Sequence, residues 1–126
     1  MHGCNGAMGQ VITALAAEDR DIEIVAGIDL YDCRDNGYPV FAALEDCNVQ
    51  ADVIVDFASA KAVDGLLSYG SVHQIPVVLC TTGLSEEQIK HVEEASEKTA
   101  ILRSANMSLG VNLLMRLVQD AARVLA

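Results

Sequence analysis

Short apolar runs alternate with segments of helical periodicity along the whole chain. The apolar runs are rich in valine, isoleucine and leucine, and they predict β-strands over residues 22–29, 51–57, 76–80 and 100–103. Apolar residues at helical spacing predict helices over residues 8–18, 59–69, 85–97 and 109–126. The stretch from residue 30 to residue 50 is irregular, with a predicted Asn36-Gly37 turn and a short helix near residues 42–46.

Strands separated by helices at this spacing indicate βαβ units, which pair in parallel through right-handed crossovers. The predicted fold is therefore α/β, a Rossmann-type doubly wound parallel sheet, and residues 1–126 form one domain. Ser85 and Gln88 are spaced as a capping box at the start of the third predicted helix. In this fold the first strand lies in mid-sheet, yet only Met1 and His2 precede a glycine-rich turn. We therefore expect the first strand to be largely missing, with unpaired backbone groups beside the gap.

The composition indicates which kinds of molecule the chain is suited to bind. The chain carries 18 acidic and 8 basic side chains, a formal net charge of −10, which disfavours a nucleic-acid partner. No apolar run approaches the roughly 20 residues that span a bilayer, and no secretory signal is apparent, so we expect a cytoplasmic protein without a membrane partner. The four cysteines form no C-x-x-C pair and match no zinc spacing, so free thiols and no metal site are expected.

The turn Gly3-x-x-Gly6-x-x-Gly9 is placed to bind a phosphate group. Gly3 permits a tight turn, Gly6 lets the backbone approach a pyrophosphate, and Gly9 allows close packing of the following helix. Asp29 ends the next predicted strand, where a dinucleotide fold places the acid that binds ribose hydroxyls; a plain strand-end residue is the alternative. A carboxylate there repels the 2′-phosphate of NADPH, so NADH is favoured, unless Arg34 folds back and permits both.

Polar residues also follow the fourth and fifth predicted strands. Thr81 and Thr82 suit contact with a ribose or nicotinamide, although a polar turn leading to the Ser85 cap explains them equally well. The loop at residues 104–112 suits the nicotinamide side of a pocket, but its Asn and Ser are also ordinary helix-entry residues.

No catalytic residue is predicted within the chain. His2, His73 and His91 are scattered, with no neighbouring triad pattern, and ordinary surface or strand-edge roles are expected for them. The acidic side chains of the third predicted helix indicate a solvated face; they are Glu86, Glu87, Glu93 and Glu94.

The stretches "GCNGAMG", "VAGID", "VIVDFAS", "IPVVLCTTGLSEEQ" and "SANMSLGVNLL", in this order, closely resemble the dihydrodipicolinate reductase family. Enzymes of that family reduce 4-hydroxy-tetrahydrodipicolinate with NADH or NADPH on the diaminopimelate route to lysine. The resemblance implies pyrophosphate contacts from the glycine turn, ribose contacts from Asp29, and nicotinamide contacts from the later loops. The implied cofactor-binding residues are Gly3, Cys4, Asn5, Gly6, Ala7, Met8, Asp29, Phe57, Ser59, Cys80, Thr81, Thr82, Ser104, Ala105, Asn106 and Met107.

The chain departs from the family pattern at Ala7, where a basic residue is usual, and at Cys80, where glycine is usual. The family's second domain, which binds and protonates substrate and forms the homotetramer, is absent from the chain. We therefore expect a cofactor-binding half that is inactive alone, of unknown oligomeric state. The alternatives are a non-catalytic nucleotide-binding remnant and a Rossmann oxidoreductase of another substrate, such as a homoserine or aspartate-semialdehyde dehydrogenase type.

Overall fold

The computed structural model describes residues 1–31 and 33–125. Short strands and helices follow one another along the described chain, as the apolar pattern predicts, except that β2 follows β1 with no helix between them. The strands are β1 (Gly27–Ile28), β2 (Val40–Phe41), β3 (Ile54–Asp56), β4 (Val77–Leu79) and β5 (Ile101–Arg103). The α-helices are α1 (Ala7–Glu18), α2 (Val63–His73), α3 (Glu86–Ser96) and α4 (Leu109–Leu125), and short 3-10 helices cover Leu44–Asp46 and Ala60–Ala62.

All the strand pairs are parallel. β1 pairs with β2, and β4 lies between β3 and β5. The backbone at His2 connects the β1–β2 pair to the three strands β3, β4 and β5, because it bridges to Ile28 on one side and to Asp56 on the other. The strand order is therefore β2-β1-His2-β3-β4-β5, which confirms the predicted Rossmann-type parallel sheet.

The core lies where α2 and α3 pack against the sheet. Leu66, Leu79, Val63 and Val77 are almost fully buried there, because the sheet presents its aliphatic face to both helices. The helix α4 differs from the others, since none of its described residues is buried. The predicted last helix is thus present through Leu125, and Ala126 lies outside the described residues.

Several predicted boundaries are wrong. The strand expected over residues 22–29 is reduced to Gly27–Ile28, because only these residues find partners on β2. The structure adds β2, Val40–Phe41, inside the stretch predicted as irregular. The helix expected over residues 59–69 begins as a 3-10 turn and extends to His73, where Gln74 closes it in a left-handed conformation with φ of 57°.

The predicted capping box of α3 is confirmed. The backbone N–H of Gln88 donates to the Ser85 hydroxyl at 3.1 Å, and the Ser85 N–H donates to the Gln88 side chain at 3.1 Å. Both bonds satisfy amides that the helix itself leaves free.

Ser85→Ala is expected to lower the free energy of unfolding by about 1 kcal/mol, because a helix-end amide loses its acceptor. Ser68→Ala is the matched control, since Ser68 lies exposed inside α2 and caps nothing. Urea unfolding monitored by circular dichroism measures both variants. An equal effect of the two substitutions would contradict the capping role.

Candidate functional site

The glycine turn forms a compact cradle that leads into α1. Gly3 has φ of +78°, and a Cβ there would lie 2.8 Å from the Phe57 carbonyl oxygen. A Cβ on Gly9 would lie 2.3 Å from the Gly3 carbonyl oxygen. The Gly6 N–H donates to the same carbonyl at 3.2 Å, and α1 begins at the next residue. Side chains are therefore excluded from the cradle, which keeps its backbone accessible.

The first turn of α1 is open to an anion. The cap residue Gly6 offers no side chain, and no acidic residue lies in this turn. The amides of the first turn have no partner within a helix, and they point the positive end of the helix dipole outward. Ala7 and Met8 are exposed beside them, so the helix end is accessible.

Cys4 has a structural side chain. It is fully buried, and its Sγ packs against Gly27, where an added Cβ would lie 2.6 Å away. Burial raises the pKa of the Cys4 thiol, and the nearby Asp29 carboxylate raises it further. Only the backbone of Cys4 is therefore available to a ligand at this turn.

Asp29 is tied directly to the glycine turn. Its Oδ2 accepts a hydrogen bond from the Asn5 N–H at 2.9 Å, which fixes the carboxyl end of β1 beside the cradle. The Asn5 side chain in turn bonds the Tyr31 carbonyl and accepts from Asn36 Nδ2 at 2.9 Å. Gln10 of α1 donates to the same Asn36 side chain at 2.7 Å. The Asn36 and Gln10 contacts were missed from the sequence, because both residues lie far along the chain from their partners.

A cleft of about 570 Å³ opens beside the cradle at the carboxyl ends of β1 and β3. Of the predicted site residues it gathers Gly3, Gly6, Asp29, Phe57 and Ser59. Lys61 also lines the cleft and brings a positive charge that was not predicted at the site. Its closeness to Ser59 in the sequence, two residues away, is the signal that could have indicated this position.

The residues after β4 and β5 lie outside this cleft. Ser104 donates its N–H to the Leu79 carbonyl at 3.1 Å, so the loop after β5 stays beside the end of β4. Ala105, Asn106 and Met107 are exposed on that loop, and Thr82 is exposed on the loop after β4. These residues therefore follow the same carboxyl edge of the sheet without lining the cleft.

A buried polar cluster is formed by Asp56 at the end of β3, Thr81 after β4, and His2. Asp56 is fully buried; its Oδ2 accepts a hydrogen bond from the Thr81 hydroxyl at 2.6 Å, and its Oδ1 accepts the Ala58 N–H at 3.2 Å. His2 Nδ1 lies 2.7 Å from Asp56 Oδ1, but it forms no well-aligned hydrogen bond. Burial alone raises the pKa of Asp56, yet contacts with His2 and Thr81 outweigh burial and leave that pKa below its ordinary value. The Thr81 hydroxyl is thus committed to Asp56.

The surface or strand-edge role expected for His2 is wrong, since His2 is buried in mid-sheet against Asp56. This pair was not predicted, because the two residues lie far apart in the sequence. His91 does lie near the surface, and its contact with Asp64 at 2.8 Å raises the pKa of the imidazole. His73 packs against the Tyr69 ring, with centroids 4.2 Å apart. The four glutamates of α3 are exposed, as predicted.

The Cys80 thiol lies near the buried Asp56 carboxylate. Burial raises the pKa of Cys80, and the Asp56 carboxylate raises it further. All four cysteines are free. Across residues 1–31 and 33–125, no group of histidine, cysteine and acidic residues is arranged to hold a metal ion. No helix in that part of the chain is long and apolar enough to cross a bilayer.

Known proteins are similar to this chain over most of its length. The family model described as "Dihydrodipicolinate reductase, N-terminus" matches residues 1–107. A 4-hydroxy-tetrahydrodipicolinate reductase from Caldanaerobacter subterraneus subsp. tengcongensis is 48% identical over 125 residues, which are 99% of this chain and 49% of that protein. One from Clostridium perfringens (strain SM101) is 43% identical over 126 residues, covering 99% of this chain and 50% of that protein. The chain thus spans about half the length of these relatives.

A solved structure supports the fold. Dipicolinate-bound dihydrodipicolinate reductase from Paenisporosarcina sp. TG-14 superposes with a TM-score of 0.84 at 24% sequence identity. The match covers 96% of this chain and 51% of that one.

Proposed function

This chain belongs to the dihydrodipicolinate reductase family, and from that premise we propose that it supplies the dinucleotide-binding half of an NADH- or NADPH-dependent 4-hydroxy-tetrahydrodipicolinate reductase. The reaction forms tetrahydrodipicolinate on the diaminopimelate route to lysine, in the cytoplasm. Residues 1–126 act as the cofactor domain. The observation that carries the proposal is the Asn5 N–H to Asp29 bond of 2.9 Å, which unites the glycine cradle and the ribose-binding acid.

The cradle and cleft fit a dinucleotide in shape and charge. Glycines keep the turn free of Cβ atoms, and the unpaired amides at the start of α1 suit the pyrophosphate. The acceptor oxygens of Asp29 suit ribose hydroxyls. Phe57 and Ser59 line the same cleft and would contact the middle of the ligand. An anion site built from backbone amides thus lies beside a carboxylate, and this arrangement matches the pyrophosphate and ribose of a dinucleotide.

The bound dinucleotide would supply the hydride for the reduction. The chain's own residues hold and orient it: the cradle fixes the pyrophosphate, and Asp29 fixes the adenosine ribose. Thr82 and the loop at residues 104–107 lie further along the carboxyl edge, where they would contact the nicotinamide end. The buried Asp56 carboxylate has a structural part in the site, because it holds the Thr81 side chain and the Ala58 amide in place beneath the loops.

We infer that NADH is preferred over NADPH, because the Asp29 carboxylate repels a 2′-phosphate at the ribose position. Lys61 in the same cleft is the group that would oppose this preference. Lys61 lines the cleft and can meet a phosphate there, whereas Arg34 is not among the residues that line it. The preference therefore depends on the balance between one acid and one base.

Asp29→Ala is expected to weaken NADH binding about 10- to 100-fold, because the ribose and the Asn5 amide both lose an acceptor. Asp29→Asn keeps an acceptor but removes the charge, so it is expected to shift the affinity ratio towards NADPH. Isothermal titration calorimetry with NADH and NADPH measures both effects.

Glu93→Gln serves as the charge-matched control, because Glu93 is exposed on α3 and its side chain contacts none of the site residues described above. Binding of NADH to Asp29→Ala with the affinity of the parent chain would contradict the proposed site. An unchanged affinity ratio in Asp29→Asn would contradict the inferred cofactor preference alone.

A further inference from the structure

Three side-chain amides form a continuous line of hydrogen bonds beside the glycine cradle. Gln10 donates from Nε2 to Asn36 Oδ1 at 2.7 Å, and Asn36 donates from Nδ2 to Asn5 Oδ1 at 2.9 Å. Asn5 then donates from Nδ2 to the Tyr31 carbonyl. We call Gln10, Asn36 and Asn5 the amide relay. Its middle member must both accept and donate, which a carboxamide group can do and a carboxylate cannot.

The amide relay connects two segments that are distant in sequence. Asn36 belongs to the segment at residues 33–38, between β1 and β2, whereas Asn5 and Gln10 belong to the glycine turn and to α1. Gln10 Nε2 also donates to the Cys4 carbonyl at 3.0 Å, so the turn is held at two adjacent residues. The Asn36 side chain is half-buried, so water competes only in part for its hydrogen bonds.

The amide relay ends on the residue that holds Asp29. The backbone N–H of Asn5 donates to Asp29 Oδ2 at 2.9 Å, while the side chain of the same residue is held by Asn36. Fixing that side chain limits the rotation of the Asn5 backbone and therefore the direction of its N–H. Among the described residues that line the cleft, neither Gln10 nor Asn36 is present. Their effect on the cleft is therefore transmitted through Asn5.

We propose that Asn36 is a positioning residue of the dinucleotide site, which acts through Asn5 to hold the Asp29 carboxylate towards the ribose. This inference rests on the proposed function. A carboxylate at position 36 would still accept from Gln10 but would face the Asn5 oxygen without a proton to donate. An aliphatic side chain there would offer neither bond. The amide of asparagine is thus the chemistry that this position requires.

A second hydrogen bond of the same segment provides an internal comparison. The Tyr38 hydroxyl lies 2.7 Å from the Thr13 hydroxyl of α1, and the Tyr38 side chain is half-buried like that of Asn36. This bond fastens the segment at residues 33–38 to α1 directly between two side chains, without passing through Asn5. Its removal therefore measures the effect of loosening the segment alone.

The test compares Asn36→Ala, Asn36→Asp and Tyr38→Phe in the full chain. Calorimetric titration uses NADH and ADP-ribose, which shares the pyrophosphate and the adenosine ribose but lacks nicotinamide. Both Asn36 variants are expected to weaken both ligands about tenfold, because the change acts at Asp29. Tyr38→Phe is expected to lower stability in urea unfolding about as much as Asn36→Ala, with both affinities unchanged. Equal affinity losses in Tyr38→Phe and Asn36→Ala would overturn the proposal.

A double-mutant cycle tests whether Asn36 acts through Asn5. In an Asn5→Ala chain the link to Asn36 is already lost, so adding Asn36→Ala is expected to change NADH affinity by less than about twofold. A full tenfold loss in that background, about the same as in the parent chain, would overturn the proposal.

The parent chain separates the two possible failures. Parent binding of NADH and ADP-ribose that Asn36→Ala leaves unchanged would overturn the role of Asn36 and leave the proposed function intact. A folded parent chain that binds neither ligand would contradict the proposed function and, with it, this inference.

Discussion

Gly9→Ala is expected to abolish measurable dinucleotide binding, with an affinity loss of at least about 100-fold, and to lower the free energy of unfolding by about 3 kcal/mol. The added Cβ would lie 2.3 Å from the Gly3 carbonyl oxygen and 2.6 Å from the Cys4 carbonyl oxygen. Both are backbone atoms, so no side-chain rotation relieves the clash. The turn must move away from α1, and the backbone amides that we propose for phosphate binding move with it.

Gly65→Ala is the matched control for the loss of stability. Gly65 lies in α2, and a Cβ there meets no atom within 4 Å. Alanine is therefore expected to stabilise α2 by about 0.5–1 kcal/mol. Glu93→Gln is the control for NADH affinity, because Glu93 is exposed on α3 away from the cleft. Urea unfolding measures the stability of the glycine variants, and calorimetric titration measures the NADH affinity of Gly9→Ala and Glu93→Gln. Normal NADH affinity in Gly9→Ala would show that the cradle is not the phosphate site.

Asp56→Asn is expected to lower the free energy of unfolding by about 3 kcal/mol at neutral pH. The buried carboxylate faces the Thr81 hydroxyl, the Ala58 amide and the His2 ring, and all of these contacts favour an anionic acceptor. An asparagine amide offers one oxygen to them, so a donor is left without a partner in a site that excludes water. Urea unfolding at neutral pH measures the loss.

The exposed pair of His91 and Asp64 supplies a control with the same chemistry. Its nitrogen-to-oxygen distance is 2.8 Å, against 2.7 Å for His2 and Asp56, but both of its side chains are largely exposed. Asp64→Asn is therefore expected to change stability little, because water replaces the lost contact. Equal effects of the two substitutions would contradict the argument that burial makes the Asp56 cluster important.

The effect of Asp56 is also expected to depend on pH. Because the folded protein holds the pKa of Asp56 below its ordinary value of 3.8, the folded state binds fewer protons than the unfolded chain in that range. The stabilisation is therefore complete above the unfolded pKa and is lost as pH falls through the folded pKa. The difference in stability between the parent chain and Asp56→Asn should narrow below pH 3.8. A difference that stays constant through this range would contradict the assignment.

Local patterns predicted the parts of the fold that depend on neighbouring residues. The helices α1 and α3 follow from apolar spacing, and the cap at Ser85 follows from the residue three positions later. The central strands β3 and β4 follow from short aliphatic runs, which have few stable alternatives to a covered parallel sheet. The positions of the glycine turn and of Asp29 at a strand end were predicted in the same way, because backbone conformation and strand ends leave signals in single residues.

Residues distant in sequence decided the rest. The strand predicted over residues 22–29 is paired only at Gly27–Ile28, since pairing requires a partner and β2 reaches no further. β2 was not predicted, because Val40–Phe41 is too short to carry a pattern of its own and is a strand only through its pairing with β1. Lys61 entered the cleft through the turn at the start of α2, which the sequence pattern placed within a regular helix.

The sequence by itself determined the fold class, the order of most elements and the glycine-and-aspartate signature, since hydrophobic periodicity, capping and backbone freedom act over a few neighbouring residues. Only the tertiary structure decided that His2 would be buried against Asp56 and that Thr81 would turn inward. The physical reason is that burial and pairing belong to contacts between separate strands. Such contacts depend on the assembled sheet, so the residue spacing within a single segment does not predict them.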